Sequence, residues 1–195
     1  MGIVNDEEIR KKKLARKGIK QWAPPKGTRS VRCQDDKRWF VEYVGDGDAL
    51  DREQILIEED VKMHHAIFIN RCNNCYINIV GKVNSIQIVE CLNVQVQFSE
   101  TVGPIEITNS ERMEVLVTKR CPQVMSSKVK ELTLHLAGSV ETDIVTSCTS
   151  NMNVTYQIVD AEGDKDSVEV AIPEQFMHKV IKRNKIGTTL VSHGE

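Results

Sequence analysis

The sequence predicts an all-β fold: a parallel β-helix that repeats about every 19 residues, roughly six coils in all. Three observations predict it. Apolar residues recur in columns at one fixed spacing. Each period holds two short runs of alternating apolar and polar residues. Charged residues are almost absent from the columns. The first column is Ile67, Ile86, Ile105 and Val124, each 19 residues apart, with Ile144 at 20. A second is Ile77, Val96, Val115 and Leu134 at 19, then Val154 at 20. A third is Val83, Val102, Cys121, Val140 and Val159, all at 19. Partial columns are Ile69, Ile88, Ile107 and Ile79, Phe98, Val117, Leu136, Tyr156. A fixed period of this length marks a repeat architecture. Leucine-rich repeats share the length, but their helical segment and Asn/Leu consensus are missing from the sequence.

The elements follow in order. Residues 1–26 read as a charged arm, helical from an Asn5 N-cap with Glu8 three positions on. It carries Arg10, Lys11, Lys12, Lys13, Arg16, Lys17 and Lys20, and "APPKG" ends it. Such an arm is either a solvated segment or a contact for an acidic partner. Residues 27–195 read as the β-helix domain. "RWFVEYV" and "ILIEEDV" are strands, and then each period supplies a pair, such as "AIFIN" and "CYINI". Alternation turns Ile67, Ile69, Ile77 and Ile79 inward and Phe68, Tyr76 and Asn78 outward. One sheet should present a polar exterior through Asn78, Gln95, Gln97, Glu114, Thr133, His135, Asn153 and Thr155. The other is mixed, with Phe68, Val89, Met125 and Val145 outward, as expected of a covered face or an interface. After Ile158 comes a polar loop, a strand that Pro173 ends, and a hairpin over residues 174–195.

Composition excludes several classes. The formal charge of −2 does not suit a general nucleic-acid binder. No run approaches 18 apolar residues, so no membrane span is expected. The N-terminus has no apolar core of a secretion signal, so a cytoplasmic location is expected, with reduced thiols.

Catalytic patterns are missing. His64, His65, His135, His178 and His193 form no spaced ligand pair, and in a strand His64 and His65 would point to opposite faces. The sequence has no phosphate-cradling glycine loop and no nucleophile elbow. Cys72 and Cys75 form a Cys-x-x-Cys, with Cys91 behind. A structural zinc needs four ligands, and redox pairs sit at a helix start. The repeat explains the spacing instead. Cys72 and Cys91 share a column that Ser110 continues, at a turn. Cys75 shares a core column with Val94, Met113 and Leu132. A disulfide between Cys72 and Cys91 fits the spacing, but a reducing compartment argues against it. No metal, cofactor or enzymatic activity is expected.

"KRWFVEY", "NRCNNCYINIVGKVNSIQIVEC", "ITNSERMEVLV", "KRCPQV", "VAIPEQF" and "IGTTLV" together resemble the C-terminal domain of cyclase-associated proteins over roughly residues 36–195. The resemblance implies a right-handed parallel β-helix that binds the actin monomer and speeds its nucleotide exchange. It also implies a homodimer that exchanges C-terminal strands, a cytoskeletal association, and a likeness to short protozoan forms. The helical domain, proline-rich stretches and Leu-Lys-Lys-like segment of longer members have no match here, so cyclase binding and filament binding are not carried over. Gln123-Val124-Met125-Ser126 departs from the family's Thr-Ile-Ser-Ile-like run. On this resemblance the actin-binding candidates are Lys82, Asn84, Arg112, Arg120 and Lys128, with the tail from Val191. The dimer-interface candidates are Phe176, Val180, Ile181, Thr188, Leu190 and Val191. The alternative is a scaffold or GTPase-activating module of the tubulin-cofactor-C type, whose Gln-x-Arg motif does not occur in the sequence.

Overall fold

The computed structural model describes residues 26–45, 52–138, 141–159, 165–182 and 185–191. The charged arm and its expected helix lie outside the described residues.

Two sheets face one another across a narrow apolar interior. Sheet A holds β1 (Ser30–Gln34), β2 (Arg38–Glu42), β4 (Ala66–Asn70), β6 (Ser85–Val89), β8 (Ile105–Thr108), β10 (Gln123–Ser127) and β12 (Asp143–Ser147), in that spatial order. Sheet B runs from β3 (Glu53–Ile57) through β5 (Cys75–Val83), β7 (Leu92–Thr101), β9 (Glu111–Arg120), β11 (Lys130–Leu136) and β13 (Ser150–Val159) to β14 (Lys165–Ala171). The chain alternates between the sheets, and like strands pair in parallel. This is the β-helix that the columns predict: six stacked rungs with five full turns between first and last.

The first two columns stack in register. Ile67, Ile86, Ile105, Val124 and Ile144 pair rung to rung, as do Ile77, Val96, Val115, Leu134 and Val154. Inward residues from Val41 to Val154 form one contiguous core. The third column does not hold. Val83 pairs with Thr101, not Val102, because the ladder shifts register between Ile79 and Lys82 and between Phe98 and Glu100. Thr101 is buried, and Val102 is 50% exposed. Val140 lies outside the described residues.

The chain turns from sheet A to sheet B at what we term the outbound corner. Two left-handed residues make each turn: Arg71 and Asn74, Glu90 and Asn93, Asn109 and Arg112, Lys128 and Glu131, Cys148 and Asn151, with φ between 49° and 60°. Each such non-glycine residue costs on the order of 1 kcal/mol. Stacking offsets this, since Arg71, Glu90, Asn109 and Lys128 each donate a backbone N–H to the rung above. Gly45, at φ +113°, is where glycine is required: a Cβ there would lie 1.5 Å from the Asn73 carbonyl oxygen.

Both ends are half closed. The antiparallel strand β1 covers β2 at the N-terminal end of sheet A, and β14 covers β13 at the C-terminal end of sheet B. Among the described residues, β12 and β3 are the rung strands with no antiparallel strand beside them. Packing thins towards β12. Ser126 continues the Ile69, Ile88, Ile107 column, and four of the five β12 residues are exposed. Last comes the hairpin of β15 (Phe176–Lys182) and β16 (Lys185–Leu190), which pair only with each other among the described strands. Its apolar side chains lie in the open: Val180 is 73% exposed and Ile186 64%.

Candidate protein-docking surface

The structure divides the five actin-binding candidates between two edges of the solenoid. Lys82, Asn84 and Arg120 lie on the return corner, where sheet B leads back to sheet A. Arg112 and Lys128 lie on the outbound corner, both as left-handed turn residues. They do not form one continuous surface.

On the return corner, stacking brings like positions together. Lys82 pairs in register with Glu100, and Glu100 with Arg120. The Lys82 ammonium donates to Glu100 Oε1 at 2.6 Å. That bond holds the Glu100 carboxyl below its usual range, and the charges of Arg120 and Lys119 add to the effect. One carboxylate therefore stands among three cations. Asn84 and Val102 follow directly, and the Asn84 carbonyl accepts the Gly103 N–H at 2.6 Å. Sequence reasoning missed Glu100, Lys119 and Val102. A signal existed: opposite charges at 82, 100 and 120, spaced by 18 and then 20 residues, straddle the 19-residue repeat.

The outbound corner is internally paired. Arg112 Nε donates to Glu131 Oε2 at 2.7 Å. Arg71 Nε donates to Glu90 Oε2 at 2.7 Å and Nη1 to the Tyr43 hydroxyl at 2.8 Å. Lys128 is exposed.

Two expectations need correction. His64 and His65 do not point to opposite faces. They lie in a turn before β4, their rings meet edge to face at 4.7 Å, and both reach Asp36. Turn geometry replaces strand alternation there. Cys33, Asp36 and buried His65 place donor atoms within 4.8 Å of one another, yet the set does not suit a cation. His65 Nδ1 accepts N–H groups from the Trp39 indole and the Lys62 backbone, both at 3.2 Å. Its neighbours thus assign the proton to Nε2, which faces Asp36. Both Asp36 oxygens already accept from the Lys62 ammonium at 2.7 Å.

The second correction concerns Cys72, which is at a turn but is as buried as Cys75. Its thiol donates to the carbonyl two residues back, Asn70, at 3.4 Å. Cys91 does the same to Val89 and Ser110 to Thr108, so one bond repeats up the ladder. The Cys75 thiol is pushed up chiefly by its hydrogen bond with Cys72, and the Cys91 thiol chiefly by burial. All six cysteines are free thiols.

The hairpin candidates Phe176, Val180, Ile181, Thr188 and Leu190 sit on β15 and β16, with Val191 just beyond. Phe176 pairs with Leu190, and His178 with Thr188. Comparison with known proteins places the whole arrangement. The family described as "Adenylate cyclase associated (CAP) C terminal" matches residues 28–193. The adenylyl cyclase-associated protein of Dictyostelium discoideum is 34% identical over 165 residues, which cover 84% of this chain and 34% of that protein. Cyclase-associated protein 1 of Arabidopsis thaliana is 33% identical over 172 residues, 87% of this chain and 33% of that protein. The chain thus spans about a third of the length of these curated relatives. In fold it is similar to the crystal structure of cyclase-associated protein from Cryptosporidium parvum, with a TM-score of 0.73 at 22% identity, covering 88% of this chain and 100% of that one.

Proposed function

The chain belongs to the family of C-terminal domains of adenylate cyclase-associated proteins, and from that premise we propose that it binds monomeric actin and promotes its ADP/ATP exchange. The observation that carries the reading is the family match across almost all of the β-helix. A stiff solenoid suits the task. Exchange needs no covalent step, only tighter binding to the actin state whose nucleotide cleft is open. The protein raises that population by its affinity difference between the two states and no further. A rigid partner loses little conformational entropy on docking. The contacts we assign are Lys82, Asn84 and Arg120 on the return corner, with Arg112 and Lys128 as secondary positions. A cytoplasmic, cytoskeleton-associated location follows from the same reading. The tubulin-cofactor-C alternative is not favoured, because the sequence offers no Gln-x-Arg for an arginine finger.

The proposed assembly is a homodimer that exchanges C-terminal strands. Two features support it. The hairpin exposes Phe176, Met177, Val180, Ile181, Ile186 and Leu190 to water, and a two-stranded hairpin is marginal alone. The β12 edge and its thin packing form an open end of the solenoid that added strands would cover.

The test is release of a fluorescent nucleotide from ADP-actin. The protein should accelerate release in a saturable way; unchanged release at saturating concentration refutes the exchange activity. Sedimentation tests the dimer: truncation after Phe176 should give monomers, and a persistent dimer would exclude strand exchange.

A further inference from the structure

Three of the six cysteines gather at one outbound turn. Cys72, Cys75 and Cys91 are each 2% exposed or less, and the Cys72 thiol is in hydrogen-bond contact with both of the others. The backbone brings them together. Cys72 and Cys91 hold one position on successive rungs, where the Leu92 N–H donates to the Cys72 carbonyl at 3.0 Å. Cys75 lies three residues on, where left-handed Asn74 turns the chain into β5. This is also the most enclosed of the described outbound turns. Cys72, Asn73, Asn74 and Cys75 are all buried, whereas the two middle residues of the other such turns are not. The Asn73 N–H donates to the Val44 carbonyl at 2.8 Å and the Asn74 N–H to the Leu92 carbonyl at 3.0 Å, so neighbouring chain covers the turn.

We propose that this thiol cluster is a reversible oxidation site, in which a peroxide links Cys72 to Cys75 through a disulfide and Cys91 is the alternative partner of the same sulfur. Packing does not demand cysteine at these positions. Val94, Met113 and Leu132 fill the Cys75 column on other rungs. A hydroxyl at Ser110 makes the ladder bond of Cys72 and Cys91. The surroundings favour a disulfide over a bound cation. Three thiolates about a mono- or divalent ion would carry net negative charge into an apolar interior, beside the Val41, Asn70 and Val89 carbonyl oxygens. A disulfide is neutral.

The resting state is the free thiol, and Cys72 is the sulfur that reacts first. The S–H groups of Cys75 and Cys91 donate to it, which favours its thiolate and lowers its pKa, while the same bond raises Cys75. The Cys72 thiolate attacks one peroxide oxygen. The O–O bond breaks, and the hydroxide that leaves takes up the Cys72 proton as water. The Cys75 sulfur then attacks the Cys72 sulfenic acid. An S–S bond forms, the S–O bond breaks, and the hydroxyl leaves as water with the Cys75 proton. Two thiols are oxidised and one peroxide is reduced to two waters. Peroxide is close to water in size and enters by local opening of the turn. A dithiol reductant reverses the bond by exchange.

The experiment treats the full-length chain with hydrogen peroxide, unfolds it, alkylates the remaining thiols and maps tryptic peptides by mass spectrometry, with a thermal melt of each variant. Cys72 and Cys75 share the peptide that follows Arg71 and ends at Lys82. Their bond therefore reads as an unalkylated peptide lighter by two hydrogens, restored by dithiothreitol. Wild type should show it, with Cys91 alkylated. Cys75→Val, which copies Val94 in the same column, should melt near wild type and move the bond to Cys91, a residue that only the folded coil brings near. Cys91→Ser should keep the bond to Cys75. Cys72→Ser, which copies Ser110, should lose both. Free Cys72 and Cys75 in a wild-type chain whose exposed Cys33 and Cys148 are already oxidised overturns the site. A Cys72–Cys91 bond in wild type overturns the choice of Cys75. A Cys75–Cys91 bond in Cys72→Ser, or no bond in Cys75→Val, overturns Cys72 as the shared sulfur.

Discussion

Ser110 stands where Cys72 and Cys91 stand on the two preceding rungs, and it makes their hydrogen bond back to the carbonyl two residues earlier. It also accepts the Cys91 backbone N–H at 3.1 Å. The ladder position therefore tolerates a hydroxyl, while at Cys75, in the column of Val94, Met113 and Leu132, a hydroxyl would have only the Cys72 thiol, a weak partner, to meet. Cys91→Ser should cost less than about 1 kcal/mol and Cys75→Ser about 2 kcal/mol in urea unfolding; equal losses would contradict this division. Gly45→Ala should be worse still, about 3 kcal/mol or more, because the methyl collides with the Asn73 backbone at a φ that disfavours it. Glu100 sets a pH dependence. Its folded carboxyl lies below the ordinary 4.5 because Lys82 binds the charged form. Its stabilising contribution is present above that ordinary value and is lost as pH falls through the lower folded one. Glu100→Gln should therefore melt below wild type at about pH 6, and the gap should close as pH falls below the ordinary carboxylate range and through the lowered folded value; a constant offset would show that the pairing is not the cause.

At the level of the strands, legibility follows the repeat. Ile67 to Ile144 and Ile77 to Val154 were readable as columns because identical packing on every rung demands similar side chains. Ile105→Ala, in the middle of one column, should lose about 2–5 kcal/mol, measurable by urea unfolding. Val102 was misread because a register shift leaves composition unchanged: Thr101-Val102 serves either pairing. The outbound turns were hidden for another reason. Their left-handed positions carry Asn74, Asn93, Asn109 and Asn151, which signal such turns, but also Arg71, Glu90, Arg112, Lys128 and Glu131, which do not. Stacked backbone bonds, not residue preference, hold those φ values. Strand alternation does not apply to His64 and His65, because the chain there is a turn leading into β4. The candidate site was legible only in part. The family motifs pointed to Lys82, Asn84 and Arg120, but nothing linear separated them from Arg112 and Lys128, which the coil places on the opposite corner.

For the molecule as a whole, stability is a sum over rungs and the contacts between them, so the weakest rung opens first. That is the one carrying β12, where Ser126 replaces isoleucine in the column below and the outer edge is bare. In the chain truncated after Phe176, hydrogen exchange at β12 amides should be fast while β8 remains protected; equal protection would contradict the thinning of the core. The half-closed ends have a further consequence. A bare sheet edge is a template for endless growth, and a solenoid has two ends at which to grow. Here the bare edges are diagonal: sheet A is bare above at β12 and sheet B below at β3, while β1 and β14 close the other two positions. Were two copies stacked head to tail in phase, β12 would meet β1 and β3 would meet β14, and both of those strands run antiparallel to the rungs they cover. The antiparallel end strands thereby interrupt the parallel register at any such junction.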